Sequence, residues 1–235
     1  MLDRGLGGGE GLKDYYSKRL SSDRLRRVYE LATPRVRQYL DAEIRFVMKK
    51  IRPGALVLEL GCGYGRVLER LATRTDKVTG IDTSLASLLM ASRTDIWDFS
   101  PLLSAMDAVC LGFREGVFDL VACVQNGISA FKVDPQQLIM EALRVTRPGG
   151  RVLFSSYSER FWPDRLEWFR IQADHGLLGE IDEKATGNGV IVCKDGFMAT
   201  TIGMDGFRHL AKRIGVHAEI QEVDGSSIFC DIEVP

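Results

Sequence analysis

The stretch V-L-E-L-G-C-G-Y-G-R, Val57 to Arg66, decides how the rest of the chain is read. A short apolar run carrying one acid, Glu59, leads into glycines at alternate positions, Gly61, Gly63 and Gly65. A strand, glycine loop and helix in that order turn free backbone N–H groups and a helix N-terminus toward a ligand. Glycine at these positions lets a bulky ligand approach the backbone. A tight turn that uses glycine only for steric reasons is the competing reading. The dinucleotide fingerprint spaces its glycines G-x-G-x-x-G, which this loop does not. Glu59 also argues against a pyrophosphate, because a like-charge contact at ~4 Å and an effective dielectric near 20 costs roughly 4 kcal/mol. A cationic or zwitterionic ligand fits better.

Outward from that loop the pattern alternates. Strands are expected at 55–60, 77–82, near 103–107, at 117–124 and at 151–158. Between them lie helical stretches at 65–74, 84–93 and 135–146, the last stopped by R-P-G-G. Such alternation implies βαβ units and a parallel sheet, with right-handed crossovers. Upstream, apolar residues recur at helical spacing from Lys13 to Lys50, with one helix ending near Ala32 and another starting at Pro34. Beyond Tyr157 the rhythm breaks. A helix is expected at 165–178, a hairpin at 187–200 turned by Asp195-Gly196, a helix at 205–215 and two antiparallel strands at 217–225 and 226–234. Without repeats or a linker, one domain is the simplest organisation: a cap over 1–50, a core over 51–156, an insertion over 157–206 and a C-terminal helix and strand pair over 207–235.

The 235 residues suffice for one elaborated α/β domain. Their net charge of -1 disfavours a dedicated nucleic-acid binder, which usually carries a basic excess. Five cysteines at 62, 110, 123, 193 and 230 form no C-x-x-C pair, so neither a metal site nor a disulfide framework is indicated. No apolar run approaches the roughly 18 residues of a membrane span, and M-L-D-R-G-L-G-G-G-E lacks the apolar segment of a signal peptide. A reducing cytoplasm is the default location.

Asp82 closes the second strand in G-I-D-T-S, 82 − 61 = 21 positions after the first glycine. An acid at about that spacing meets a ribose in doubly wound folds; a helix N-cap is the alternative role, shared with Thr83 or Ser84. Taken in order, VLELGCGYGR, GIDTS, MDAVCLGFREGVFDLV and LRVTRPGGRVLF resemble the successive motifs of class I S-adenosylmethionine-dependent methyltransferases, over roughly residues 51–156. The resemblance implies an α/β, doubly wound, mostly parallel seven-stranded sheet with helices on both faces and the last strand antiparallel. It also implies S-adenosylmethionine as cofactor and S-adenosylhomocysteine as product. Glu59 is then expected near the cofactor's amino end, with Gly61 and Gly63 beneath its methionine portion, and Cys62 and Gly65 of the same loop among the cofactor-binding residues. Asp82 and Thr83 fall at the ribose, Asp107 and Ala108 at the adenine, and Gln125 beside the methionine. Tyr15 and Tyr16, with Arg19, fall where relatives fold a helix over the cofactor.

In-line methyl transfer demands alignment and desolvation, and a base only where the methyl acceptor must lose a proton. Substrate identity must therefore come from accessory segments. Q-N-G-I-S after the fourth strand lacks the prolines of nucleic-acid amino-methyltransferases, which together with the neutral charge favours a small-molecule acceptor at nitrogen, oxygen or sulfur. RNA or protein methylation and a non-catalytic regulator stand as alternatives, and a homodimer stays open. Asn126 and His175 are the candidate catalytic residues, against a turn role for Asn-Gly and an exposed helix end. Tyr157, Trp162 and Trp168 are candidates for an aromatic substrate wall, against simple cover of the sheet. Arg35 and Arg37 read as a solvated basic face or as partners of a substrate carboxylate.

Overall fold

A computed structural model describes residues 21–93 and 101–235. Two helices lead in. α1 spans Asp23–Glu30 and α2 spans Pro34–Lys50. The break falls where Pro34 sets the first turn, and the Thr33 hydroxyl accepts the Val36 N–H at 3.3 Å. The core then alternates: β1 Val57–Leu60, α3 Arg66–Ala72, β2 Val78–Asp82, α4 Leu85–Ser92, β3 Leu102–Ala105, β4 Phe118–Cys123, the one-turn α5 Gly127–Ala130, α6 Pro135–Val145 and β5 Thr146–Tyr157. A 3-10 turn at Glu159–Phe161 leads into α7, Trp162–Asp174, then the hairpin of β6 (Ile191–Val192) and β7 (Met198–Ala199), α8 (Met204–Ile214), β8 (Ala218–Val223) and β9 (Ser227–Glu233).

Seven strands form one sheet in the order β3-β2-β1-β4-β5-β9-β8. β1 through β5 pair in parallel, and β9 lies antiparallel between β5 and β8. The expected doubly wound sheet with an antiparallel last strand is therefore what the chain forms. The chain progresses outward in opposite directions from β1 and β4, so a crevice opens beyond their carboxyl ends, where doubly wound sheets bind ligands. The ends of β1 and β2, the turn after β3 and the corner after β4 all face it. β1 is buried throughout, as expected of a central parallel strand.

Several boundaries differ from expectation for local reasons. β3 ends at Ala105, and Asp107 leaves the strand to accept the Val109 N–H at 3.1 Å, a local turn. β5 starts at Thr146 rather than Arg151. R-P-G-G stays extended, with a register shift between the Phe118–Thr146 and Leu120–Arg151 pairs. α7 starts three residues early because Pro163 sits in its first turn, and it stops before Gly176, at φ +67°. The expected hairpin forms, turned at Gly196 with φ +92°.

Two apolar clusters cover the faces of the sheet. A third joins Val28, Tyr39, Tyr157, Trp168, Phe169 and Phe197, and so packs α1 and α2 against the segment after β5. Within that segment the buried Arg165 donates to the carbonyls of Gly189 (2.9 Å) and Ala199 (3.1 Å), holding the hairpin to α7. Among the described residues no helix is long and apolar enough to cross a membrane.

Candidate functional site

A cavity of about 480 Å³ opens over the crevice between β1 and β4. Its floor is the glycine loop. Gly61 adopts φ +76°, and a Cβ there would lie 2.5 Å from the Phe131 ring, so only glycine fits. The Gly61 N–H donates to the Ile81 carbonyl at 2.8 Å, joining the loop to β2.

Asp82 fastens this floor. Its Oδ2 accepts the Gly63 N–H at 2.8 Å and its Oδ1 the Ser84 N–H at 2.7 Å. Burial raises its carboxyl above the usual value against the pull of those backbone donors. A carboxylate offers about four lone-pair sites, so capacity remains on the cavity side. Glu59 is 3% exposed, and one of its oxygens has no hydrogen-bond partner. Burial pushes it to about 8, with Arg66 opposing the rise and Asp82 adding to it. A buried carboxylate oxygen without a donor is costly, and a ligand cation would meet that need.

At the other end of the cavity stands an aromatic wall. Tyr157 from β5, Trp168 and Phe169 from α7 and Phe197 from the hairpin line it, beside Val28 and Tyr29 of α1. The Trp168 Nε1–H donates to the Val28 carbonyl at 3.1 Å, and its ring lies 6.2 Å from that of Tyr29. The Arg165 guanidinium stacks at 4.6 Å over Tyr157 and 5.4 Å over Phe169.

Of the residues singled out in the sequence, Glu59, Gly61, Asp82, Thr83, Asp107, Ala108, Gln125, Asn126, Tyr157 and Trp168 border this one cavity. Others stand elsewhere. Cys62 is buried behind the loop against β2, where a Cβ on Gly80 would lie 2.8 Å from its sulfur, and burial pushes its thiol far up. Gly63 contributes its N–H to Asp82, and Gly65, at φ +90°, precedes the first turn of α3. Trp162 faces Arg165 at 5.8 Å rather than the cavity. His175 is exposed beyond the end of α7, with Nδ1 2.8 Å from the Ile171 carbonyl. Asn126 borders the cavity, but its amide is spent: Nδ2 donates to the Thr200 carbonyl at 3.0 Å and Oδ1 accepts the Ser156 hydroxyl at 2.7 Å. Arg35 pairs with Asp224 at 2.7 Å and lies over Phe161, and Arg37 is exposed, donating to the Glu30 carbonyl at 3.4 Å. Tyr15, Tyr16 and Arg19 lie outside the described residues.

Three residues passed unnoticed in the sequence. Tyr29 donates its hydroxyl to the Gln125 Oε1 at 3.1 Å. Arg66 places its guanidinium 4.2 Å from the Tyr29 ring centroid, with Nε and one Nη lacking hydrogen-bond partners. Glu43 of α2 is fully buried, and its Oε2 accepts the Gln125 N–H at 2.7 Å. Only Glu43 left a trace in the sequence. It sits among Leu40, Ile44 and Val47 on the apolar face of a helix, where an acid is out of place.

Residues 57–150 match the family model of a methyltransferase domain. That segment, from β1 into β5, is similar to a methyltransferase domain. Among curated relatives, 2-methyl-6-phytyl-1,4-hydroquinone methyltransferase of Synechocystis sp. is 29% identical over 136 residues, 54% of this chain and 42% of that protein. The ubiquinone biosynthesis O-methyltransferase of Chromobacterium violaceum is 31% identical over 109 residues, 44% of either chain. The chain thus spans less than half the length of these relatives. The crystal structure of magnesium protoporphyrin IX methyltransferase from Synechocystis PCC 6803 with bound S-adenosylhomocysteine shares the fold, with a TM-score of 0.62 at 18% identity over 95% of this chain and 98% of that one.

Proposed function

We propose that this chain transfers the methyl group of S-adenosylmethionine to a small-molecule acceptor at nitrogen, oxygen or sulfur, by in-line displacement. The observation that carries the proposal is Glu59, a buried carboxylate with a free oxygen above a glycine floor, in one cavity with Asp82 and Asp107. Those acids suit a ligand bearing an ammonium, a ribose and an amino-purine. When bound, S-adenosylmethionine supplies a methyl group on a sulfonium. On this reading Glu59 faces the amino group, Asp82 takes the ribose hydroxyls, Asp107 with Ala108 meets the adenine, and Gly61 gives room for the methionine portion. The wall of Tyr157, Trp168, Phe169 and Phe197 then orients the methyl acceptor and keeps water from it. The segment 157–206 acts as the acceptor-side part of one domain. The two curated relatives carry names of ring-compound chemistry, and they support a small-molecule acceptor here. A cytoplasmic location, with or without a homodimer, belongs to the same reading.

Isothermal titration should give micromolar dissociation constants for S-adenosylmethionine and S-adenosylhomocysteine. Methyl-labelled S-adenosylmethionine should transfer label into the low-molecular-weight fraction of a cell extract. Label in RNA or protein would move the acceptor class, and tight binding without transfer would make the chain a non-catalytic regulator. Binding of neither ligand refutes the proposal.

A further inference from the structure

Below the cavity floor α2 sends a single carboxylate into the core of the sheet. Glu43 is fully buried, and its Oε2 accepts the Gln125 N–H at 2.7 Å; the Ser155 hydroxyl oxygen lies 2.9 Å from the same nitrogen. The corner it grips is unusual. Gln125 (φ +55°) and Asn126 (φ +63°) are consecutive non-glycine residues in the left-handed region, which side chains rarely adopt and which surrounding contacts must enforce. Asn126 is held through Thr200 and Ser156, and Gln125 through Glu43 and Ser155.

That grip fixes a donor. The Tyr29 hydroxyl occupies the Gln125 Oε1, which turns the side-chain Nε2 the other way, and this Nε2 is buried without a partner. Gln125 borders the cavity beside Tyr29, whose ring neighbours both the Arg66 guanidinium and Trp168. The free amide therefore stands where the acidic end of the cavity meets the aromatic wall.

We propose that Glu43 is a positioning residue for methyl transfer: it locks Gln125 in the left-handed corner so that Nε2 is presented as a hydrogen-bond donor to the bound methyl acceptor. This rests on the methyl-transfer reading above. Around Glu43 stand Tyr39 of α2, Tyr29 of α1, Arg66 of α3, Cys123 of β4 and Tyr157 of β5. Burial raises the three tyrosines and the thiol out of the physiological range. Glu43 itself is raised by burial to about 7, against the hydroxyls of Ser227 and Ser155, the Gln125 N–H and Arg66. Its ionised form accepts the amide most strongly, so the lock tightens as pH rises through neutrality.

The test follows the backbone amide of Gln125 by ¹⁵N NMR from pH 5.5 to 8.5 in the full chain and in Glu43→Gln. The wild-type resonance should move with a midpoint near 7, and the variant resonance should stay still. Alongside, labelled methyl transfer into the small-molecule fraction should fall at least tenfold in Glu43→Gln, lose its pH step, and recover in part in Glu43→Asp, with S-adenosylhomocysteine affinity changed less than threefold. A wild-type resonance that does not titrate, or one that titrates equally in Glu43→Gln, overturns the proposal. So does unchanged transfer per folded molecule, which makes Glu43 merely structural. Should Glu43→Gln not fold, the wild-type titration decides alone, and Ser155→Ala, which removes a hydroxyl that holds the Glu43 carboxyl down, must move its midpoint upward; a midpoint that stays or falls overturns the proposal. Absence of S-adenosylhomocysteine binding to wild type defeats the methyl-transfer reading itself, an outcome separate from a missing Gln125 titration in a protein that does bind.

Discussion

The two ends of the cavity are built on different principles. At the acidic end, Glu59, Asp82 and Asp107 lie at or just beyond the carboxyl ends of the neighbouring strands β1, β2 and β3. Once those strands pair in parallel, the three acids must face the same crevice. At the aromatic end, Trp168 reaches Val28 across 140 positions, and the hairpin bearing Phe197 is tied to α7 through Arg165 and the Ala199 carbonyl. Apart from Tyr157, which the pairing of β5 with β9 places, packing of distant segments fixes that wall.

Asp82→Ala should break the acidic end most severely. The change removes two acceptors from the loop and those proposed for the ribose hydroxyls. Hydrogen bonds to charged groups contribute about 1.5–3 kcal/mol each, so loss of two of them predicts a fall of about 100-fold or more in S-adenosylhomocysteine affinity by calorimetry. A fall under threefold would move the cofactor away from this end.

Trp168→Ala should act on the other end and in the other currency. Truncating a buried Trp typically costs about 3–5 kcal/mol of stability, so thermal unfolding should drop sharply, while S-adenosylhomocysteine affinity of the folded protein stays within a few-fold. Trp168→Phe, which loses the hydrogen bond to Val28 but keeps a ring, should recover most of that stability. Equal loss of cofactor affinity in Trp168→Ala and Asp82→Ala would erase the distinction between the ends.

The sequence foreshadowed the two ends unequally. Glycine spacing, a lone acid in an apolar strand and an acid about twenty positions on are local signals, and the strand ends turned them into positions in space. The wall was visible only as a surplus of aromatics after β5. Of those singled out, Trp168 and Tyr157 reach the cavity, whereas Trp162, a few residues along the same helix, faces Arg165. Phe197 and Tyr29 carried no local mark, because their roles depend on contacts with segments far away in sequence. Asn126 misled for a related reason: its amide is satisfied by Thr200 and Ser156, partners 74 and 30 positions distant.

Glu59 gives a subtler contrast through pH. In the folded protein it holds its proton to about 8, whereas its ordinary value is 4.5. Between those values the folded state binds a proton that the unfolded chain has released, so this contribution to stability is present at low pH and declines as pH rises through the window, at no more than about 1.4 kcal/mol per pH unit. Glu59→Gln should flatten that part of the stability–pH curve. A ligand ammonium favours the ionised carboxylate, so S-adenosylhomocysteine binding at pH 7 should release up to one proton in wild type and less in Glu59→Gln. Calorimetry in buffers of differing ionisation enthalpy reads the difference. Equal release in both proteins would place the ammonium elsewhere.

His175 sets the smallest effect and tests the wall by exclusion. It follows α7 on the exposed side, its ring folded back to the Ile171 carbonyl, while Trp168 and Phe169 of the same helix face inward. A general base must come within about 3.2 Å of the proton it removes, or reach it through one water. Nothing in this placement offers that contact, and a surface substitution normally shifts stability by less than about 0.5 kcal/mol. His175→Ala should therefore leave unfolding temperature, S-adenosylhomocysteine affinity and transfer rate within twofold of wild type across pH 6–8. A loss of transfer with a flattened acid limb would mean that α7 turns its outer face into the cavity during catalysis, and the aromatic wall would then be one arrangement of that segment among two.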